Sequence, residues 1–286
     1  MMPLMWISLL LAHLFSNTSY NVILRHAAAG KKIDPIFLAA ITSTAVAAPA
    51  AVGIFVANIN WSLFNTRMLS FYAVFIVTIT VFHILNAKAL GNTEASIFPF
   101  LYNFRIGFVT LFGIWFLSES VVPLRMAGGA FVFIAGFILV GKATATSTGV
   151  AYSISSAVTM AIVNALEKYL ITQLGFAGYA FPSMLITAGL LWLMVIIGKR
   201  HIDKDFIATR ECFALMVARC LSAYGFTLSL SVGALVSVAT YVSALNCVTT
   251  PIAAVIFLKE TSSLKKKILA GVVALAGVTL IFLAAR

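Results

Sequence analysis

Charge is scarce in this sequence. Only 9% of its 286 residues are Asp, Glu, Lys or Arg, where a water-soluble domain carries about 25%. That leaves too little polar surface to cover a globule in water. Acidic residues are the rarer part of this small set, 8 against 19 Lys and Arg, giving a formal net charge of +11. Cysteine is nearly absent. Cys212, Cys220 and Cys247 lie in apolar runs without CxxC or Cys/His spacing, which excludes a disulfide framework and a zinc site. Also missing are a phosphate-binding Gly-rich loop, an HExxH pair, paired membrane aspartates and a Gly-x-Ser-x-Gly elbow. ATP as the direct energy source is excluded, and neither an enzyme nor a cofactor or metal is expected.

What fills the chain instead is apolar residue, 62% of the total, with a mean hydropathy of +1.07. The runs are long and do not alternate, which predicts an all-α integral membrane protein, since only helices satisfy their own backbone inside lipid with such a pattern. Runs of roughly 20 apolar residues predict ten transmembrane helices, at 4–24, 35–57, 69–87, 95–117, 125–141, 149–168, 179–198, 211–230, 234–257 and 268–285. The opening MMPLMWISLL has no basic n-region and reads as a first membrane helix that is kept. Connections are short, the longest holding Lys199–Arg210, and no soluble domain fits between them. In such a chain a basic excess reports topology and contact with anionic membrane lipids rather than nucleic acid. The expected setting is a multi-pass protein of the cell (inner or plasma) membrane.

The two halves resemble each other. FLSESVVPLRMAGGAFVFIAGFIL, from Phe116 to Leu139, aligns without a gap on FLKETSSLKKKILAGVVALAGVTL, from Phe257 to Leu280, at an offset of 141. Phe116, Leu117, Glu119 and Gly136 match Phe257, Leu258, Glu260 and Gly277, and an approximate offset of 143 sets Asn21 on Asn164 and Arg25 on Lys168. Each half then holds five spans, 1–142 and 149–286. An odd number inverts the second half, and an inverted repeat is the architecture of many secondary transporters, which bind substrate near the midplane between the halves.

A five-plus-five repeat with FLxE ending the fourth and ninth spans, followed by Gly/Ala-rich fifth and tenth spans, resembles the EamA family of the drug/metabolite transporter superfamily. The likeness extends over nearly the whole chain. The family's proline late in the ninth span is matched by Pro251; its counterpart in the fourth would be Thr110, whereas the proline there is Pro99. The resemblance implies a ten-helix basket around a central cavity, lined mainly by spans 1, 3, 4, 6, 8 and 9, in a protein that exports or exchanges small metabolites.

Polar residues inside the spans mark where a ligand would sit. Arg105 and Arg219 fall near the centres of spans 4 and 8, where a charge costs at least about 2.5–3.5 kcal/mol and so faces a cavity or a buried partner. Tyr102 shares a face with Arg105, and the 141 offset sets Ser243 and Asn246 on the matching face of span 9, extended by Thr250. In span 1, His13, Ser16, Asn17, Tyr20 and Asn21 make one polar stripe. Span 6 carries Tyr152, Ser155, Ser156 and Thr159, and span 3 carries Thr80, His83 and Asn86. Five such stripes predict a hydrated or ligand-filled cavity with substrate-binding residues Arg105, Arg219, Tyr102, Asn17, Tyr20, His83, Asn246 and Ser243. His13 and His83 are candidates for proton coupling. Glu167, beside Lys168 at the end of span 6, is expected to pair with it, so two central arginines without a central carboxylate predict an electropositive cavity. The expected function is secondary transport of a small anionic or zwitterionic metabolite (an amino acid, a carboxylate or a phosphorylated compound). A channel-like pore and a proton-coupled exporter of a neutral or aromatic metabolite are the other readings. Small residues at Gly129, Gly136, Ala270, Ala274 and Gly277 predict close helix packing, within a monomer or across a homodimer.

Thirteen of the Lys and Arg residues fall in odd-numbered loops and four in even loops, helix ends and the tail; Arg105 and Arg219 complete the nineteen. The positive-inside rule then places the odd loops in the cytoplasm and both termini outside, the reverse of what the family resemblance implies. A C-terminal fusion to a reporter active only in the cytoplasm is expected to be silent, and a reporter active only outside to be functional. The opposite pair of signals overturns the charge-based orientation.

Overall fold

The computed structural model describes residues 2–117, 122–139, 146–232 and 236–283. Glu119 and the junction 140–145 between the two sequence halves lie outside the described residues. Every regular element described is helical: α1 (Met2–Arg25), α2 (Pro35–Val56), α3 (Thr66–Asn92), α4 (Phe98–Tyr102), α5 (Phe104–Leu117), α6 (Pro123–Leu139), α7 (Ser147–Ile197), α8 (Lys204–Ile207), α9 (Arg210–Ser231), α10 (Val236–Ala244), α11 (Asn246–Leu258) and α12 (Leu264–Leu283). Short polar side chains start the long helices by accepting from otherwise unpaired amides. Asp34, with Pro35 behind it, takes Ile36 N and Phe37 N, and Asn65, Thr146 and Thr209 do the same for α3, α7 and α9.

Five helices, α1 with its π-helical extension, α2, α3, α7 and α9, are long and apolar enough to cross a membrane. Their outer faces carry large apolar side chains in the open, among them Phe55 at 89% exposure and Phe213 at 70%. The interior carries His13, Asn21, Ser43, His83, Asn86, Arg105, Asn164 and Glu167, all buried. Apolar outside and polar inside is the distribution of a protein dissolved in lipid around a wet core.

Two of the expected helices are interrupted, and a third interruption falls between two expected helices, 149–168 and 179–198, that run on as one element. The run 95–117 divides at Asn103, where Ile106 N bonds back to Asn103 O in a tight three-residue turn. The run 234–257 divides at Leu245, where Val248 N does the same to Leu245 O. The two breaks touch, because Asn103 Nδ2 donates to Ala244 O at 3.0 Å and occupies a carbonyl that the end of α10 leaves free. Sequence periodicity missed both, since the apolar pattern runs straight through them.

The third interruption is inside α7, whose 51 residues would span about 76 Å as one rod, far beyond a bilayer core of about 30 Å. Gly175 turns it back with φ 71° and ψ 171°, a region open essentially to glycine alone. The two legs then pack on each other, bringing Val163, Leu170 and Leu174 against Tyr179 and Ala180. The first leg runs to Leu174 rather than ending at 168 as the hydropathy predicts. The small residues of α12 pack within the chain: Ala270 and Ala274 are fully buried with Ala135, and a Cβ on Gly277 would meet Gly128 O of α6 at 2.6 Å.

Gly175→Ala forces a Cβ into that backbone conformation at a cost of about 1–3 kcal/mol, and the purified protein is expected to melt several degrees lower. Gly189→Ala, in a helix with open space around it, is the control and should melt at or above the parent value. Equal midpoints for the two variants would overturn the hairpin turn at Gly175.

Candidate functional site

One cavity of about 130 Å³ lies between α1, α2, α3, α4, α5, α7, α9 and α10, close to the roughly 150 Å³ that admits a benzene-sized guest. Its wall includes His13, Asn17, Tyr20, His83, Tyr102, Arg105, Arg219 and Ser243, all named above from the sequence. Asn246 is not among the lining residues. It sits buried behind the wall, where its Oδ1 accepts from Thr18 of α1 at 2.9 Å, so it joins α1 to α11. Thr250 is likewise buried away from the cavity. The stripe expected on span 6 also turns elsewhere: Tyr152, Ser155, Ser156 and Thr159 are outside the lining, and Thr159 bonds back to Ser155 O, the ordinary fate of a hydroxyl in a membrane helix. On α3, His83 and Asn86 reach the cavity, while Thr80 bonds back to Ile76 O.

Arg105 is 3% exposed. Its Nη2 donates to Ser243 Oγ at 2.6 Å and its Nη1 to the Tyr102 hydroxyl at 3.2 Å, while Nε is left without a partner. The guanidinium also lies 4.5 Å from the Tyr102 ring centre, an attraction of charge to π-face that strengthens out of water. Arg219 is held more loosely. Its guanidinium sits 5.4 Å from the Tyr20 ring centre and its buried Nε has no partner. Neither arginine forms an ion pair with a described residue.

Hydrogen bonds link Arg105 through to α9. Ser222 O is a carbonyl and can only accept, so the 2.8 Å contact places the His13 proton on Nδ1. His13 Nε2 then faces Ser243 Oγ at 3.1 Å. Ser243 accepts from Arg105 and has its own proton left to donate to that nitrogen. The chain of donors runs Arg105 to Ser243 to His13 to the backbone of α9, and ties the broken helices to α1.

Several lining residues were not foreseen, among them Ser43, Tyr179, Ser183, Thr187, Ser222 and Thr227, and Glu167 is the one that carries an acid group. Glu167, 5% exposed, turns its carboxylate into the cavity, where Thr227 Oγ1 donates to it at 3.3 Å and the Tyr179 hydroxyl lies close by. Adjacent residues on a helix do not face one another, so its place beside Lys168 in sequence was a poor guide. The cavity therefore holds an acid group as well as two guanidinium groups, and the expectation of an interior without a central carboxylate is corrected. The fold-back at Gly175, which falls between the expected spans 149–168 and 179–198, brings Tyr179 onto Glu167.

At one end of the molecule the termini of five helices meet in a second polar cluster. Glu260 accepts from Ala95 N at 3.1 Å and Ser96 N at 3.0 Å, just ahead of α4, and from Ser96 Oγ at 2.7 Å. Arg25 Nε approaches it at 3.6 Å. Lys267, 4% exposed, donates to Glu94 at 2.7 Å and to Glu260 O at 2.9 Å. This is what the second FLxE motif does: its glutamate satisfies two amides of the turn that leads into α4, in the other half of the chain.

No protein-family model and no curated protein matches the sequence. Among solved structures, 28 chains match. One, described only as the crystal structure of a protein, superposes with a TM-score of 0.72 over 98% of this chain and 97% of its own length, at 16% identity. The fold is thus shared end to end with a solved protein.

Breaking the end cluster leaves buried charge uncompensated, which costs about 3–5 kcal/mol for a buried pair. Lys267→Met is expected to lower the melting midpoint by more than 5 degrees, roughly what that loss implies for a chain of this length, whereas Lys265→Met, on the exposed side of the same turn, should leave it unchanged. Indifference to Lys267→Met would show that the cluster is not a structural clasp.

Proposed function

We propose that this chain is a secondary transporter that moves a small anionic or zwitterionic metabolite by alternating access. The observation that carries the reading is a cavity inside an apolar-coated helical protein whose wall holds two guanidinium groups without ionic partners among the described residues. Such groups bind carboxylate or phosphate through charge-assisted hydrogen bonds. A free Nε on each means that the protein has not used up their donors.

The proposal includes ten membrane passes and an inverted repeat of halves 1–142 and 149–286. Taken as membrane crossings, α4 with α5 and α10 with α11 count as one span each, and α7 counts as two. The breaks in the two composite spans fall at Asn103 and Leu245, 142 positions apart, with near-identical backbone angles of φ −69°, ψ −9° and φ −60°, ψ −12°. Broken helices at matched positions of two halves are the hallmark of a midplane binding site. The drug/metabolite transporter superfamily, and its EamA family in particular, is the proposed affiliation, on the motifs already given.

A channel is the competing reading, since a polar lumen serves either mechanism. The two separate in proteoliposomes: a carrier shows saturable counterflow, a channel shows unitary conductance. Arg105→Ala and Arg219→Ala are each expected to insert and purify normally yet lose transport by at least about tenfold, the equivalent of one charged hydrogen bond. Normal transport by either variant would remove that arginine from the site.

A further inference from the structure

The carboxylate in the cavity narrows what the cavity can take. Glu167 is buried, forms no ion pair with a described residue, and is met by one neutral hydroxyl at 3.3 Å with the Tyr179 hydroxyl beside it. An ionised carboxylate so sparsely satisfied in an apolar surround is costly. Arg219 lines the same cavity with a guanidinium equally short of partners. An acid and a guanidinium thus line one cavity without forming an ion pair with each other, so each keeps capacity to meet a complementary group on a ligand.

We infer that Glu167 and Arg219 are the two poles of one ligand subsite, built for a compact zwitterion whose ammonium lies at Glu167 and whose acid group lies at Arg219. The inference rests on the transporter reading above and selects among its substrate classes: α-amino acids fit, while simple carboxylates and phosphate esters leave Glu167 unmatched.

Dimensions support the assignment. Thr227, which donates to Glu167, and Arg219 are both on α9, eight positions apart, which is about 12 Å along the helix axis. The carboxylate of Glu167 and the guanidinium of Arg219 each reach into the cavity from their own helix. An amino acid separates its nitrogen and carboxyl carbon by about 2.5 Å, and a hydrogen bond of about 2.8 Å at each end extends the bridge to about 8 Å. A ligand with its charges one or two bonds further apart still fits; one without a cation does not complete the pair. Tyr20, under the guanidinium, and Ser222, one turn along α9, complete the acid-binding end.

The test is a binding series on the purified full-length chain, followed by thermal shift. The probes are the twenty protein amino acids, their N-acetyl derivatives and their carboxamides. For any amino acid that binds, N-acetylation and amidation are each expected to weaken binding at least tenfold. In Glu167→Gln the N-acetyl penalty should shrink to within about threefold, while the amide penalty persists. An N-acetyl derivative that binds the parent protein as well as its amino acid overturns the cation pole and leaves the acid-binding cavity standing. So does a Glu167→Gln variant that keeps the full N-acetyl penalty. If Glu167→Gln does not fold, the comparison on the parent protein decides alone. If no probe binds, or Arg219→Ala binds all of them unchanged, the failure is of the cavity as a metabolite site, and the inference falls with it.

Discussion

A guanidinium buried where no carboxylate of a described residue meets it sets the terms for much of this molecule. Arg105 keeps its charge out of water with two neutral hydroxyls and one aromatic face around it, in a setting where an unpaired charge is worth several kcal/mol of penalty. Three features of the fold bear on that penalty. A break at Asn103 places Tyr102 and Arg105 on either side of a tight turn. A second break, at Leu245, lets α10 end where Asn103 can reach its last carbonyl, and so brings Ser243 within 2.6 Å of the guanidinium. A cavity then opens on the remaining side of the group. Remove either break and the donors of Arg105 face apolar side chains.

The same economy appears at the end cluster. Glu260 and Glu94 are drawn to the unpaired amides ahead of α4 and to the buried ammonium of Lys267, so the loops that join the helices are held by charge while their bodies are held by packing. The position of Glu260 in an FLxE motif has a physical reason here that does not depend on family: it lies past the end of α11, close enough in space to hold the turn ahead of a helix that is remote in sequence.

Much of this was legible in the sequence, and what was not has identifiable causes. The stripe on span 1 survives as a cavity wall because four of its five members share one face of an unbroken helix, where a period of 3.6 is a reliable guide. The arginines were legible because charge in an apolar run has few explanations. The stripe on span 6 was misread because a serine or threonine that bonds to its own helix looks, in sequence, like one that faces a ligand. Asn246 was assigned to the cavity by its offset from Arg105, yet equivalence under a repeat fixes backbone position and not the direction of a side chain; here the amide serves Thr18. Glu167 was lost for a different reason: its nearest charged neighbour in sequence was taken for its neighbour in space. The fold-back at Gly175, between the expected spans 149–168 and 179–198, sets the surface it faces.

The hydrogen-bond order around His13 bears on how such a cavity could work. With Nδ1 donating to Ser222 O and Nε2 receiving from Ser243, the neutral imidazole is satisfied at both nitrogens. A second proton on the ring would turn Nε2 into a donor and displace the Ser243 proton, whose oxygen is already accepting from Arg105. Two donors would then converge on one hydroxyl that has lost its acceptor. The ring is thus better suited to joining α1, α9 and α10 than to carrying protons. Ser243 is the pivot of that joint, because its hydroxyl bonds both the buried guanidinium and the histidine. Any movement that separates the broken helices from α1 must part Arg105 from Ser243 or Ser243 from His13, and a ligand acid group arriving at the arginine offers the replacement acceptor that would let the first of these go.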